Sequence, residues 1–116
     1  MKRIGANSVG IEQGSRQLFS DYATNGVMWT GSGDRESRTV VAFSEPFILP
    51  PAVMVGVSLW DMDHETNMRA DLVAENVTEA GFHLVFRTWG DTRIARLRAD
   101  WTAIGPVRDP DDWDIG

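Results

Sequence analysis

The sequence contains no cysteine, and this absence removes several classes of protein at once. Disulfide-stapled secreted domains, thiolate zinc sites and enzymes with a cysteine nucleophile all need this residue. Basic residues are also few, because 17 acidic side chains outnumber 11 basic ones. The resulting net charge of -6 disfavours nucleic acids as partners, since phosphate binding draws most of its affinity from Lys and Arg.

Long hydrophobic runs are missing as well. The longest candidate, Ile48 to Leu59, is interrupted by two prolines and a glycine, so it is too short and too broken to cross a bilayer and we expect no membrane insertion. No apolar run of signal-peptide length follows Lys2 and Arg3. These features predict a soluble protein without a signal peptide, located in the cytoplasm by default or exported by a non-classical route.

Helical periodicity is the third absence, because apolar and polar residues alternate with a period of two. Met68 to Glu75 and Phe82 to Arg87 read as a hairpin whose turn contains Gly81. On the last strand we expect an inner face of Ala95, Leu97, Ala99 and Trp101 and an outer face of Ile94, Arg96, Arg98 and Asp100. The predicted strands cover 9–13, 38–43, 52–60, 68–75, 82–87 and 92–104, with 15–30 as a long connection.

Short strands with regular turns predict an all-β fold, a sandwich of two antiparallel sheets. A chain of 116 residues fits one such domain. We place the domain at 1–107 and an acidic C-terminal tail, which we expect to be frayed, at 108–116.

Candidate enzymatic and metal sites fit poorly. Asp61 to Glu65 gathers three carboxylates and His64, but a calcium loop starting at Asp61 lacks the glycine and glutamate that such loops need. We interpret the segment as a solvated hairpin loop. His64 and His83 have no metal-ligand spacing, and we expect both at the surface. The sequence therefore predicts no catalytic residues, no metal and no cofactor.

Polar and aromatic residues at strand ends fit a binding site better, because a sandwich carries its binding loops there. Thr88 to Thr92 closes one predicted strand and Asn67 to Arg69 opens another. An indole can stack on the apolar face of a sugar while guanidinium and carboxylate groups bind its hydroxyls. The residues alone equally allow Trp89 as a core residue at a corner and Arg69 as a structural ion-pair partner.

The order of several short motifs resembles the H-type lectin family, known from invertebrate agglutinins and the C-terminal domain of discoidins. The resemblance covers most of the chain, and from Phe43 to Ile104 its spacing needs no gap. The motifs are Trp29, Phe43-Ser44-Glu45-Pro46-Phe47 followed by Pro50-Pro51, Trp60-Asp61, Asn67-Met68-Arg69, Gly81-Phe82, Thr88-Trp89 and Trp101.

This resemblance implies a six-stranded antiparallel β-sandwich that forms a homotrimer and binds galactose or N-acetylgalactosamine near the protomer boundaries. Arg69 matches the family's sugar-contacting arginine, and Trp89 matches the tryptophan beside the site. The family also uses a loop carboxylate and backbone, which here point to Ser32 or Asp34. The implied function is a non-enzymatic lectin that is multivalent through oligomerisation.

Two positions depart from the snail agglutinins, which have a histidine after the tryptophan and a tyrosine six residues after it. This chain has Gly90 and Ala95 there. Losing an imidazole and a phenol weakens and changes sugar preference, although Asp91 offers another acceptor for hydroxyls. The alternative prediction is a trimerisation or attachment module of a surface fibre or virion-like particle whose sugar site is degenerate.

Overall fold

The computed structural model describes residues 1–5 and 8–109, and within them it contains six strands and one short helix. In chain order these are β1 Ser8–Ser20, α1 Val27–Thr30, β2 Arg35–Ala42, β3 Ala52–Met62, β4 Asp71–Glu75, β5 Gly81–Thr88 and β6 Ile94–Val107. Most of the predicted tail, residues 110–116, lies outside the described residues.

The strands form two antiparallel three-stranded sheets, which confirms the predicted all-β sandwich. The β6 sheet has the order β1-β6-β3, and the β5 sheet has the order β2-β5-β4. Buried residues from both sheets meet in the core between them, including Val41 and Phe82 from the β5 sheet and Ala99 and Ala103 from the β6 sheet. The predicted hairpin of β4 and β5 is present, and its turn is closed by a hydrogen bond from the Thr78 amide to the Gly81 carbonyl oxygen.

Trp101 fills the centre of the larger core cluster, as its phase on the last strand predicts. Its ring lies 5.4 Å from that of Phe82 and 5.9 Å from that of Phe43. The inward phase of Trp101 and of the alternating residues of β5 predicts that it lies opposite both Phe82 and Phe86; the second half of this prediction is wrong, because Phe86 belongs to the second core cluster and its ring lies 5.7 Å from that of Phe19. The strands are long, with 14 residues in β6, so side chains of one strand reach different parts of the core.

The first strand is the largest departure from the sequence prediction, because β1 continues to Ser20 where we expected a connection from Ser15. In its first half, the apolar side chains point to solvent and the glycines point to the core, which is the reverse of an ordinary amphipathic strand. The apolar side chains of Val9 and Ile11 are exposed. On the inner side of the strand, Gly14 lies against Trp101 and Gly10 lies against Val107. A methyl group added at either glycine would collide with the larger side chain opposite it.

Three smaller predictions are also wrong. The fourth strand begins at Asp71 rather than Met68, because the segment before it binds threonine side chains instead of a neighbouring strand. The loop at 61–65 is no hairpin, since β3 and β4 belong to different sheets. Ile94 is fully buried rather than outward, because the pairing of β6 with β3 shifts register between Asp61 and Met62.

Candidate functional site

Antiparallel pairing within the β5 sheet brings three chain segments to one end of the sandwich. Arg35 at the start of β2 pairs with Thr88 at the end of β5, and Asp71 at the start of β4 pairs with Arg87. The residues just outside these pairs therefore converge. They include Asp34 and Trp89, directly outside the first pair, and Arg69, two residues before Asp71; the sequence predicts all three as parts of one site.

A cleft of about 600 Å³ opens at this end, and we call it the Trp89 cleft. The Trp89 side chain is 42% exposed, so its indole is accessible to a ligand. The cleft combines this ring with two carboxylates from β2 and its preceding loop. Its lining consists of Asp34, Arg35, Glu36, Ala70, Asp71, Arg87, Thr88 and Trp89.

Ion pairs hold the charged wall of the Trp89 cleft. The Arg87 guanidinium binds Glu36 at 3.0 Å and Glu75 at 2.9 Å, and Arg38 binds the same two carboxylates at 3.5 and 3.0 Å. Hydrogen bonds from Arg87 and Arg38 hold the pKa of Glu75 below its usual value. The four side chains thus form a closed ring of alternating charge on the outer face of the β5 sheet, which fixes Glu36 and Arg87 at the rim.

Arg69 lies beside the cleft in a second polar cluster. Its Nη1 donates to Asp91 Oδ1 at 2.6 Å. The Asn67 amide nitrogen and side-chain Nδ2 also donate to the Asp91 carboxylate, at 3.3 and 3.2 Å. Gly90, the residue before Asp91, has φ of 70°. A Cβ added to Gly90 would lie 3.2 Å from Arg69 Nη1. Glycine therefore suits position 90 on two counts, conformation and space.

These contacts lower the pKa of Asp91. The hydrogen bond from the Asn67 backbone is the largest cause, followed by the bond from its side chain, and the charge of Arg69 adds to both. Asp91 is therefore ionised at neutral pH and is engaged by neighbours within its own chain. Its first role in this structure is to orient Arg69 and the loop before β4.

Two buried threonines, which the sequence predicts at the ends of the 88–92 segment but not as site residues, hold the Arg69 segment in place. Thr88 Oγ1 donates to the Arg69 carbonyl oxygen at 2.5 Å, and Thr92 Oγ1 donates to the Asn67 carbonyl oxygen at 2.6 Å. The Arg69 amide donates back to Thr92 Oγ1 at 3.1 Å. A signal existed in the sequence, since Thr88 is in phase with the inward residues of β5.

Arg35 is the other residue that sequence reasoning missed. It is almost fully buried, and its guanidinium donates to the carbonyl oxygens of Gly33, Met28 and Gly90 at 3.0, 3.2 and 3.3 Å. The Gly33 amide adds a bond of 2.9 Å to the Gly90 carbonyl oxygen. Arg35 therefore ties α1, the 31–34 loop and the Trp89-Gly90 corner into one unit.

The family model for the H-type lectin domain matches residues 38–104 of this chain. The chain belongs to the H-type lectin domain family. Membership in this family points to a carbohydrate-binding module rather than an enzyme.

Relatives extend the match beyond these residues. The chain is 65% identical over 115 residues to "ATP synthase subunits region ORF 7" of Fuscovulum blasticum, covering 99% of both proteins. It is 33% identical over 96 residues to one of the discoidin-1 chains of Dictyostelium discoideum, covering 80% of this chain and 38% of the discoidin. The structure of wild-type discoidin II from the same organism superposes with a TM-score of 0.74 at 25% identity, covering 89% of this chain and 39% of that one. The chain thus spans about two fifths of the discoidins.

The residues predicted from the sequence to bind sugar fall into three groups in the structure. Trp89 and Asp34 line the Trp89 cleft. Arg69, Gly90 and Asp91 form the adjacent cluster, joined to the cleft through the chain at 69–71 and 89–91. Ser32 is exposed on the connecting loop and is not among the residues that line the Trp89 cleft.

The acidic residues at the end of β3 and just after it have structural contacts. Asp63 binds the Arg93 guanidinium at 3.3 Å, and Asp61 binds Arg96 at 3.4 Å. His64 is exposed. Within residues 1–5 and 8–109 no three or more His, Cys, Asp or Glu side chains are grouped to hold a metal ion, and no helix there is long and apolar enough to cross a membrane.

Proposed function

We propose that this chain is a lectin module that binds galactose or N-acetylgalactosamine at the Trp89 cleft. The observation that supports this most directly is the exposed indole of Trp89, which shares one cleft with the Asp34 carboxylate. The apolar face of a galactoside stacks on the indole, and its hydroxyls donate to Asp34 and accept from Arg69. Arg69 enters this role with its guanidinium already oriented by Asp91.

The absence of an aromatic ring at position 95 bears on specificity. Ala95 has a small, buried side chain that does not line the Trp89 cleft, and it supplies nothing against which an acetamido group packs. We therefore expect galactose and N-acetylgalactosamine to bind with similar affinity, because a hydrophobic contact that is missing for both sugars cannot discriminate between them.

Titration calorimetry with methyl β-galactoside tests the proposed site. Trp89→Ala removes the stacking surface and Arg69→Ala removes two donors, so each should weaken binding by about ten- to a hundredfold. Arg69→Lys should not restore affinity, because an ammonium group lacks the planar fork of a guanidinium.

Met68→Ala is the matched control, since Met68 is the exposed neighbour of Arg69 and should leave affinity unchanged. Circular dichroism must show that every variant is folded. Folded Trp89→Ala and Arg69→Ala proteins that bind as tightly as the parent would place the sugar site elsewhere.

Oligomerisation is the second part of the proposal, because a single shallow site binds weakly and several linked sites gain avidity. The outer face of the β6 sheet supports it. Ile11 on β1 and Met54 on β3 are 66% and 58% exposed there, where an isolated domain would place polar residues. Arg96 and Arg98 extend from the central strand between them, and Arg96 is already paired with Asp61. We propose that this face packs against two further copies in a trimer.

Light scattering measures the oligomer directly. The parent should have the mass of a trimer at micromolar concentration, and Ile11→Glu or Met54→Glu should reduce it by burying a charge in the interface. Val40→Glu is the control, because Val40 is equally exposed but lies on the β5 sheet. A parent protein that is monomeric at this concentration would contradict the proposal.

An attachment or trimerisation module that has lost sugar binding is the second candidate. Gly90 and Ala95 favour it, since both stand where the agglutinins have sugar-contacting side chains. This candidate predicts an oligomer that binds no glycan. Binding of any galactoside that is weakened by Trp89→Ala would exclude it.

A further inference from the structure

A groove of about 390 Å³ lies at the end of the sandwich opposite the Trp89 cleft. The strand β6 begins shortly after Trp89 and runs for 14 residues away from it, and the groove is formed where this strand ends. The segments that precede β1 and β3 form its other walls. We call it the Leu49 groove. Its lining consists of Lys2, Arg3, Ile4, Gly5, Ile48, Leu49, Pro50 and Pro106.

The floor of the Leu49 groove is apolar and accessible. Ile48 and Leu49 are neighbours, and their side chains are 51% and 59% exposed. Ile48 is held at the groove by its amide, which donates to the Pro106 carbonyl oxygen at 2.9 Å. Both side chains precede β3, which begins at Ala52, so they lie outside the strand residues proposed to pack in the trimer. Adjacent exposed apolar side chains in a concave surface are typical of a docking site.

The rim of the Leu49 groove is basic. Lys2 and Arg3 both line it, and Lys2 Nζ donates to the Pro50 carbonyl oxygen at 2.9 Å, which holds the ammonium group beside the apolar floor. Two neighbouring cations are a local exception in a chain with a net charge of -6. An occupant that carries both apolar side chains and negative charges therefore matches this groove.

The segment 110–116 has this combination of side chains. It lies outside the described residues, and its sequence places Asp111, Asp112 and Asp114 around Trp113, followed by Ile115. The chain enters this segment beside the groove, because Pro106 lines the groove and Asp109 accepts a hydrogen bond from Ser8 Oγ at 3.1 Å. Four residues separate Asp109 from Trp113, and an extended chain of that length reaches about 14 Å.

We propose that the Leu49 groove docks the chain's own segment 110–116, in place of the frayed tail that its composition predicts. Trp113 packs on Ile48 and Leu49, and the neighbouring carboxylates face Lys2 and Arg3. An anionic lipid surface shares the chemistry of this occupant, but the aspartates that follow β6 would repel it. The inference depends neither on sugar binding nor on the trimer.

NMR contacts between Trp113 and the groove test this proposal. The experiment uses the full chain with labelled tryptophan rings and labelled Ile and Leu methyl groups, and Trp113→Phe assigns the Trp113 resonances. We expect nuclear Overhauser effects between the Trp113 ring and the Leu49 methyl groups. A Trp113 ring that shows no such effect and resonates where it does in a synthetic peptide of residues 108–116 would overturn the inference.

Matched variants test the floor and the rim separately. Leu49→Asp should move the Trp113 resonance to its position in the peptide, whereas Val40→Asp should not, because Val40 is equally exposed but lies on the β5 sheet. Arg3→Glu should move the resonance in the same direction as Leu49→Asp, and Arg16→Glu on β1 should leave it in place. Circular dichroism must show that all four variants are folded. A Trp113 resonance that neither Leu49→Asp nor Arg3→Glu moves would refute docking in this groove.

Other occupants give different results. To distinguish the chain's own segment from that of a second copy, labelled protein is unfolded and refolded with a tenfold excess of deuterated protein. Contacts within one chain keep their intensity per labelled chain, whereas contacts between copies fall about tenfold, and that fall would overturn the proposal. Sedimentation with phosphatidylserine vesicles that is lost in Leu49→Asp would assign the groove to a membrane and would equally overturn it.

Discussion

The fit of Trp101 against Gly14 gives a sharp test of the core. A Cβ added at Gly14 would lie 2.6 Å from Cε2 and Cζ2 of the Trp101 indole. That ring cannot retreat, since Phe43 and Phe82 pack on it. Overpacking of this kind costs about 1 to 3 kcal/mol, and replacing glycine in a strand returns about 0.5 to 1 kcal/mol. We expect Gly14→Ala to lower the free energy of unfolding by about 1 to 2 kcal/mol.

Urea unfolding at one fixed protein concentration measures this change. The control is Gly56→Ala in the same sheet, where an added Cβ meets nothing within 4 Å in its own protomer. Because Gly56 is exposed on the face proposed to pack in the trimer, both glycine variants are compared in the Ile11→Glu background, where Gly56→Ala should be as stable as its parent or slightly more stable. In a Trp101→Leu background the cost of Gly14→Ala should fall below about 0.5 kcal/mol. An equal cost in both backgrounds would refute the collision as its cause.

Two further predictions concern the core and the site. Trp101→Ala should lower the free energy of unfolding, measured with urea, by about 3 to 5 kcal/mol because it leaves a cavity. Trp60 is exposed, so Trp60→Ala should change this free energy by less than about 0.5 kcal/mol. Equal effects of the two substitutions would mean that the indole of Trp101 is not in the core. NMR titration should give Asp91 a pKa below its ordinary value of 3.8, rising in Asn67→Ala. Because the pKa of Asp91 is lower in the folded state than in the unfolded state, ionised Asp91 stabilises the fold above about pH 3.8. This contribution to the free energy of unfolding disappears as the pH falls through the folded-state pKa. An unshifted pKa would contradict the hydrogen bonds from Asn67.

The sequence predicts the central strands well because their patterns follow burial. Phe82, Leu84 and Phe86 on β5 are all buried, and the period of two that reveals them is the one that the pleated sheet imposes. The pattern of the last strand is equally clear, except at its first residues. There a register shift against β3 turns Ile94 inward, and no period can reveal such an irregularity.

The first strand could not be predicted by the same rule. Its exposed apolar side chains, Val9 and Ile11, face away from the core, while Gly10 and Gly14 face it because Val107 and Trp101 already fill the space. A rule that places apolar residues inside assigns this strand to the wrong face or misses it. Its full length emerges only from pairing with β6.

The candidate site shows a similar division. Antiparallel pairing was enough to predict that Arg69 and Trp89 lie at one end of the sheet, because both flank paired strand ends. The side chains that shape the site were not predictable, since Arg35 makes its hydrogen bonds to carbonyl oxygens in three separate segments. Contacts of a buried guanidinium with backbone atoms leave no pattern in the sequence.

The central claim is that this H-type lectin domain binds sugars through the Trp89 cleft, and a glycan array probed with the parent protein and with Trp89→Ala tests it most directly. We expect the parent protein to be retained on glycans ending in galactose or N-acetylgalactosamine, and retention to fall at least tenfold in the folded variant. A folded parent protein retained on no glycan, or a variant retained as strongly as the parent, would contradict it.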